Sequence, residues 1–302
     1  LLSGLARPKS RSDAMPIPQP IIDLYDRFTH GGMDRRTFLD RLARLAGGAP
    51  AAAALLPLLA ADSAKAAIVP PDDPRLTAAR VTWAGPDGEL VGYLARRRDG
   101  GRLPAVIVIH ENRGLNPHIE DVTRRMALEG FLALGVDMLS RDGGTPADED
   151  LARTMIGRLD RERTVERLAS AVPFLATHAN GNGRVGAIGF CWGGLMVNAL
   201  AASAPDLAAG VAYYGRQIPA EQVPAIRAAL MLHYAEHDAG VNAGIDAYTT
   251  ALRAAGKTFE VHTYPGTQHA FNNDTSAARY NAEAAALAWQ RTVAFLRRHL
   301  AG

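Results

Sequence analysis

The sequence predicts an α/β fold, a mostly parallel sheet with helices on both faces. Three observations predict it. Ala105–Ile109 (Ala-Val-Ile-Val-Ile) is an unbroken apolar run, the pattern of a strand buried on both faces. Strand-like runs then alternate with segments of helical character to the end of the chain, which is the signature of strand-helix-strand units. The 302 residues are 48% hydrophobic and 21% charged, enough to bury the core of one or two ordinary domains.

The elements follow in order. Ala79–Ala84 and Leu90–Arg96 read as short strands around the turn Gly85-Pro86-Asp87-Gly88. Ala105–Ile109 is the buried strand, and residues 119–129 have helical character. Phe131–Val136 is the next strand, and Asp148–Thr177 holds two charged helices. Arg184–Gly189 is a strand preceded by a turn at Gly181-Asn182-Gly183, and Leu195–Ala202 is a helix. Leu207–Tyr214 and Ala229–Tyr234 are strands, Ile245–Ala255 a helix and Thr258–Tyr264 a strand. Ala278–Leu300 is a closing amphipathic helix. In such a sheet the loops at the strand carboxyl ends carry the chemistry.

Charge narrows the function classes. Lys and Arg number 33 against 31 Asp and Glu, with nine of the bases and six of the acids in residues 1–66. The remainder holds 24 bases against 25 acids, without the basic excess of a nucleic-acid binder. The single cysteine, Cys191, rules out an intrachain disulfide and a cysteine-rich metal site.

Residues 1–66 read as a leader, and 67–302 as the body. Residues 1–32 are Pro-rich and receive no assigned structure. From Asp34-Arg35-Arg36-Thr37-Phe38-Leu39 the chain enters a weakly apolar run, Leu45–Ala61, and then Ser63-Ala64-Lys65-Ala66. Paired arginines, a mild apolar stretch and small residues resemble a twin-arginine export signal. The run is too short and too alanine-rich for a stable membrane span. It implies export to the periplasm with the twin-arginine machinery as partner and cleavage after Ala66. A non-functional signal would leave the chain cytoplasmic.

The sharpest motif is Gly189-Phe190-Cys191-Trp192-Gly193-Gly194, between an apolar strand and a helix. This is the nucleophile-elbow pattern with cysteine at the nucleophile position. A sharp strand-to-helix turn leaves no room for side chains two positions away, hence the glycines. It also sets the sulfur at a helix N-terminus, whose positive end favours thiolate. Asp238 and His269 follow, each just after a predicted strand. Nucleophile, acid, histidine is the chain order of the α/β-hydrolase fold. His269 would exchange protons with the sulfur while Asp238 fixes the imidazole tautomer; Glu236 and Asp246 are nearby rivals for that place. A fourth element, His110-Glu111-Asn112-Arg113-Gly114, carries Glu111 from the buried strand into the loop expected to form the oxyanion hole.

At these residues the sequence resembles the dienelactone hydrolase (carboxymethylenebutenolidase) family, from about Ala79 to Leu300. The resemblance implies that Cys191, His269 and Asp238 form the triad. It implies that Glu111 contacts the resting thiol and accepts its proton when substrate binds. The N–H groups of Asn112 and Trp192 would hold the oxyanion. The family grips its substrate carboxylate with two arginines. Arg141 matches the first, in Asp137-Met138-Leu139-Ser140-Arg141. Asn273 stands where the second is expected, with Arg113 and Arg216 as alternative sources of charge.

The implied function is opening of a small enol-lactone or related ester through a cysteinyl acyl-enzyme, with no metal or organic cofactor. A general carboxylesterase is the alternative, and a non-catalytic protein on the same fold is a second. Rival readings of single residues are weaker. His110-Glu111 lacks the second histidine of a zinc-protease motif, since Gly114 stands there. His233, His237 and Asp238 lie on a strand-to-loop segment where helical spacing does not apply. Arg96-Arg97-Arg98 reads as a solvated strand end, and Trp192 as either pocket lining or packing.

Overall fold

The computed structural model describes residues 17–30, 33–60 and 67–301. The chain forms two compact units, Leu1–Leu59 and Ala60–Gly302. The cleavage expected after Ala66 lies outside the described residues.

Among its described residues the first unit holds three helices, α1 (Gln19–Thr29), α2 (Arg35–Ala46) and α3 (Ala49–Leu59). Helix α1 lies within residues 1–32, to which the sequence reading assigned no structure. Its Ile21, Leu24, Tyr25 and Phe28 recur at helical spacing and are buried. Asp34 caps α2 by accepting from the Thr37 N–H at 2.9 Å. Phe28 and Phe38 stack with ring centroids 4.3 Å apart, and Tyr25 meets Phe38 edge-on. The paired Arg35-Arg36 thus open a capped helix. Among the described residues no single helix is long and apolar enough to cross a membrane; α2 and α3 pass together but bend by 110° at their break.

The second unit is an eight-stranded sheet in the order β1-β2-β4-β3-β5-β6-β7-β8. The strands are β1 (Leu76–Gly85), β2 (Gly88–Arg97), β3 (Leu103–Ile109), β4 (Leu132–Asp137), β5 (Gly181–Phe190), β6 (Ala209–Tyr213), β7 (Ala229–His237) and β8 (Phe259–Gln268). Strands β1 and β2 form a hairpin that pairs antiparallel with β4, and every other pairing is parallel. The helices are α4 (Pro117–Leu128), α5 (Glu149–Ile156), α6 (Arg161–Ala176), α7 (Trp192–Ser203), α8 (Ala239–Asn242), α9 (Ile245–Ala254) and α10 (Ala282–Leu300).

Strand alternation distributes the core to two sides. Ala105, Ile107 and Ile109 pack with α6 and α7 residues such as Leu168 and Leu200. Val106 and Val108 pack with α4 and α10 residues such as Val122 and Leu296. Side chains at helix starts set the boundaries: Asn116 caps α4, Asp148 α5, Asp160 α6 and Asn281 α10. One predicted turn is strand instead. Gly181–Gly183 opens β5, and Gly181 pairs with Leu103. A Cβ at Gly181 would lie 2.6 Å from the Leu175 carbonyl, so glycine there serves close approach of two backbones.

Three buried histidines give the fold a pH dependence. Burial pushes His110 and His118 below the usual imidazole range and His233 well below it. His233 is held by Tyr264 Oη at 2.8 Å and Thr292 Oγ1 at 3.0 Å, and Thr292 meets Tyr213 Oη at 2.6 Å. The folded chain keeps these rings neutral, whereas the unfolded chain protonates them below about pH 6.5. Their contribution is therefore complete above that pH and is lost as pH falls toward the depressed folded values. Each ring in that window costs about 1.4 kcal/mol per pH unit. Urea unfolding at pH 7.5 and pH 5.5 is expected to give a lower stability at pH 5.5; equal values would contradict the neutral buried state.

Candidate active site

Five neighbouring strands of the parallel region end side by side, and each delivers a residue to one locus. Glu111 follows β3, Cys191 follows β5, Tyr214 follows β6, Asp238 follows β7 and His269 follows β8.

Cys191 sits between β5 and α7 with φ 55° and ψ −113°, the backbone of a sharp elbow. Its glycines act as the motif requires. A Cβ at Gly189 would lie 2.2 Å from the Gly193 carbonyl oxygen, and one at Gly193 would lie 2.5 Å from the carbonyls of Ile109 and His110. The elbow is thereby pressed against the start of the Glu111 loop. Trp192 opens α7, so its N–H lies among those that a helix leaves unpaired internally. Its indole stacks on the His110 ring, centroids 5.1 Å apart and 7° from parallel. That stack, with contacts to the aliphatic core on both sides, gives Trp192 a packing role.

The Cys191 sulfur and a ring nitrogen of His269 lie within 4.8 Å of one another. His269 Nδ1 is 2.6 Å from Asp238 Oδ2, with His269 buried. Asp238 also begins α8 and accepts from the Val241 N–H at 3.3 Å. Of the rival acids, Glu236 is exposed and accepts from the Gly266 N–H at 2.7 Å. Asp246 lies on α9. The structure thus places Cys191 close to His269, and His269 on Asp238.

The sequence model of the dienelactone hydrolase family matches residues 90–300. The chain belongs to this family of hydrolases. A second model, YqhI-like, matches residues 8–48. A Methylorubrum extorquens protein named for carboxymethylenebutenolidase activity is 32% identical over 70% of this chain and 78% of its own. An Escherichia coli K12 protein of the same name is 30% identical over 80% of this chain and 94% of its own. A solved structure from Klebsiella pneumoniae, described as a dienelactone hydrolase, superposes with TM-score 0.68 at 29% identity. It covers 74% of this chain and 99% of its own.

In this dienelactone hydrolase family member, Glu111 is met by two side-chain donors. Asn273 Nδ2 donates to Glu111 Oε2 at 2.8 Å. Asn273 Oδ1 accepts from both the N–H and the hydroxyl of Thr275, at 3.0 and 2.6 Å, so the amide nitrogen must face Glu111. The Tyr214 hydroxyl donates toward Glu111 Oε1 at 3.5 Å. Burial, with Glu111 and Cys191 nearby, pushes the Tyr214 phenol well above its ordinary range and keeps it a neutral donor. Its ring also lies 5.0 Å from that of His269. Tyr214 is absent from the sequence-based site. Its place at a strand's carboxyl end was the available signal.

The two positions expected to meet substrate charge, Arg141 and Asn273, have separate surroundings. Arg141 is exposed, in a short 3-10 turn after β4. Its guanidinium carbon lies 2.6 Å from where a Cβ at Gly88 would stand, beside the β1-β2 turn. The described contacts of Arg141 are thus with that hairpin, where its charge also acts on Asp87. Arg113 ion-pairs with Glu149, and the Arg216 guanidinium lies over Gly240 at the start of α8.

The other candidate residues are occupied structurally. His233 is enclosed by Tyr264 and Thr292, while His237 is half exposed beside Glu236, so the pair does not converge. Arg97 pairs with Asp99 at the exposed end of β2.

Proposed function

We propose that this chain is a cysteine hydrolase that opens an enol-lactone or related small ester through a cysteinyl acyl-enzyme. The observation that carries this reading is the nearness of the Cys191 sulfur to His269, whose Nδ1 is held by Asp238. The thiol proton passes to a neighbouring base, His269 or Glu111, as substrate arrives. The sulfur then bonds to the acyl carbon, and the negative charge on the carbonyl oxygen is met by the N–H groups of Asn112 and Trp192. Collapse breaks the acyl–oxygen bond, and the base that took the thiol proton gives it to the leaving oxygen. Water, deprotonated by His269, attacks the thioester, releases the acid and restores the thiol. Asp238 holds the ring and stabilises its cationic form. These steps use no metal or organic cofactor.

Glu111 is held by two neutral donors, Tyr214 and Asn273. Each carboxylate oxygen thus faces a neutral group. The same feature shapes the substrate: with Asn273 neutral and Arg141 turned to the hairpin, a doubly charged lactone finds fewer cationic partners than an ester of lower charge. A Bradyrhizobium relative, 32% identical over 72% of this chain and 93% of its own, is named for lactonase action on 2-oxo-3-(5-oxofuran-2-ylidene)propanoate. Lactones and short p-nitrophenyl esters therefore form the panel. Mixing a slowly turned-over member with the protein is expected to add the acyl mass to the Cys191 peptide. Turnover without any adduct would end the covalent reading, and neither turnover nor adduct would favour a non-catalytic binder.

We propose separately that the segment ending near Ala66 directs export, on the strength of Arg35-Arg36, the mild apolar run and Ala64-Lys65-Ala66. The packed rings of Tyr25, Phe28 and Phe38 suit a unit that is kept, so cell fractionation separates the two fates. Export predicts a periplasmic chain whose mature N-terminus lies near Ala67. Retention in the cytoplasm with α1 and α2 attached would reject it.

A further inference from the structure

The loop that carries Glu111 and Asn112 does not stand alone on the end of β3. We infer that Thr145 is a positioning residue for that loop, holding the proposed oxyanion donor of Asn112 in place from the end of β4. This rests on the hydrolase reading above.

The connection between β4 and α5 is fastened to the loop at several points. Asp137, the last residue of β4, is buried and accepts at both carboxylate oxygens. The Leu139 N–H donates to its Oδ1 at 3.0 Å, and the Thr145 N–H donates to its Oδ2 at 3.0 Å. The Thr145 hydroxyl donates to Asp137 Oδ1 at 2.8 Å and accepts the Leu115 N–H at 2.9 Å. One hydroxyl therefore joins a buried carboxylate to the backbone three residues beyond Asn112. Its proton goes to the carboxylate, and so a lone pair must face Leu115.

The neighbouring backbone is shaped around this contact. Gly114 has φ +72°, and a Cβ there would lie 2.2 Å from Thr145 Oγ1. The loop approaches the threonine as closely as a residue without a side chain permits. Farther along the same connection, Glu149 pairs with Arg113 and lies 3.4 Å from Asn116 Nδ2. At the loop's start, the Met138 N–H meets His110 Nε2 at 3.4 Å, and His110 Nδ1 lies 2.6 Å from the Glu111 carbonyl oxygen. The segment between Asp137 and Glu149 thus braces the loop on both sides of Glu111 and Asn112. The Asp137–Thr145 pair supplies the hydrogen bond at its centre. Oxyanion donors act only when preplaced, and small displacements are costly in rate.

Thr145→Val keeps the side-chain shape and removes the hydroxyl. It is expected to slow acyl-adduct formation at Cys191 and kcat by about 10-fold, with KM changed less than about 3-fold. Thr145→Ser, which keeps the hydroxyl, is expected to restore both to within about 3-fold. The rate of Cys191 alkylation by iodoacetamide needs no oxyanion donor and is expected to stay near that of the parent. Should the valine variant fold poorly, Thr145→Ala adds no bulk and is expected to show the same loss. Parent-like acylation in Thr145→Val, or a loss that serine fails to restore, would overturn the inference. Absence of any acyl adduct in the parent protein would instead overturn the hydrolase reading.

Discussion

Cys191→Ala is expected to lower kcat/KM for any ester or lactone substrate by at least about 1,000-fold. The sulfur is the bond-forming atom of the proposed route, and no other side chain occupies the elbow. Removing it leaves only what the oxyanion donors and substrate binding contribute without a nucleophile. The loss corresponds to about 4 kcal/mol of transition-state stabilisation. The fold should tolerate the change. Residue 191 is small, it already holds φ 55°, and its flanking glycines stay in place. Truncating one buried atom costs about 1 kcal/mol or less in stability, well under the catalytic effect. The variant is also expected to form no acyl adduct, while circular dichroism and substrate affinity stay close to those of the parent. Full turnover by Cys191→Ala would remove the covalent mechanism, leaving Glu111 or His269 to activate water directly.

What was legible in the sequence divides by distance along the chain. The elbow was legible because its constraint is local. Gly189 and Gly193 lie within two residues of Cys191, and their contacts are with each other and with β3. The strands were legible for the same reason: Ala105–Ile109 is apolar without a break and is buried on both faces. The acidic partner of His269 was readable as a choice among three, and only geometry places Asp238 at 2.6 Å from His269. Long-range contacts were not readable. Tyr214 meets Glu111 across 103 residues of chain, and Asn273 meets it across 162. At the level of motif, Asn273 was a departure from a charged clamp; in the fold it is a directed donor to Glu111. The surroundings of Arg141 were not readable either. Its position in the chain matches the family, and in the fold its guanidinium lies beside Gly88, at the start of the neighbouring strand β2. Helix α1 was missed because prolines at positions 16, 18 and 20 obscured the spacing of Ile21, Leu24, Tyr25 and Phe28. A proline at the first turn of a helix is compatible with it.

Asp238→Asn separates the orienting role of the acid from simple placement of the ring. The carboxylate at 2.6 Å from His269 Nδ1 accepts that nitrogen's proton in a hydrogen bond, leaving the other ring nitrogen to act as the base. An amide of the same shape can present its NH2 group instead, which reverses the tautomer and removes the negative charge that stabilises imidazolium. Glu236 does not replace it, since its carboxylate is exposed and bound to the Gly266 N–H. The expected loss in kcat is about 100- to 1,000-fold, or about 2.7–4.1 kcal/mol, with KM little changed. It falls below the 10,000-fold known for serine triads because a thiol gives up its proton more readily than a hydroxyl. Deacylation, which needs His269 to take a proton from water, should suffer most. The variant is therefore expected to accumulate acyl-enzyme that the parent turns over. A kcat within about threefold of the parent, with no accumulated thioester, would show that His269 keeps its tautomer by other means and that Asp238 serves only to cap α8.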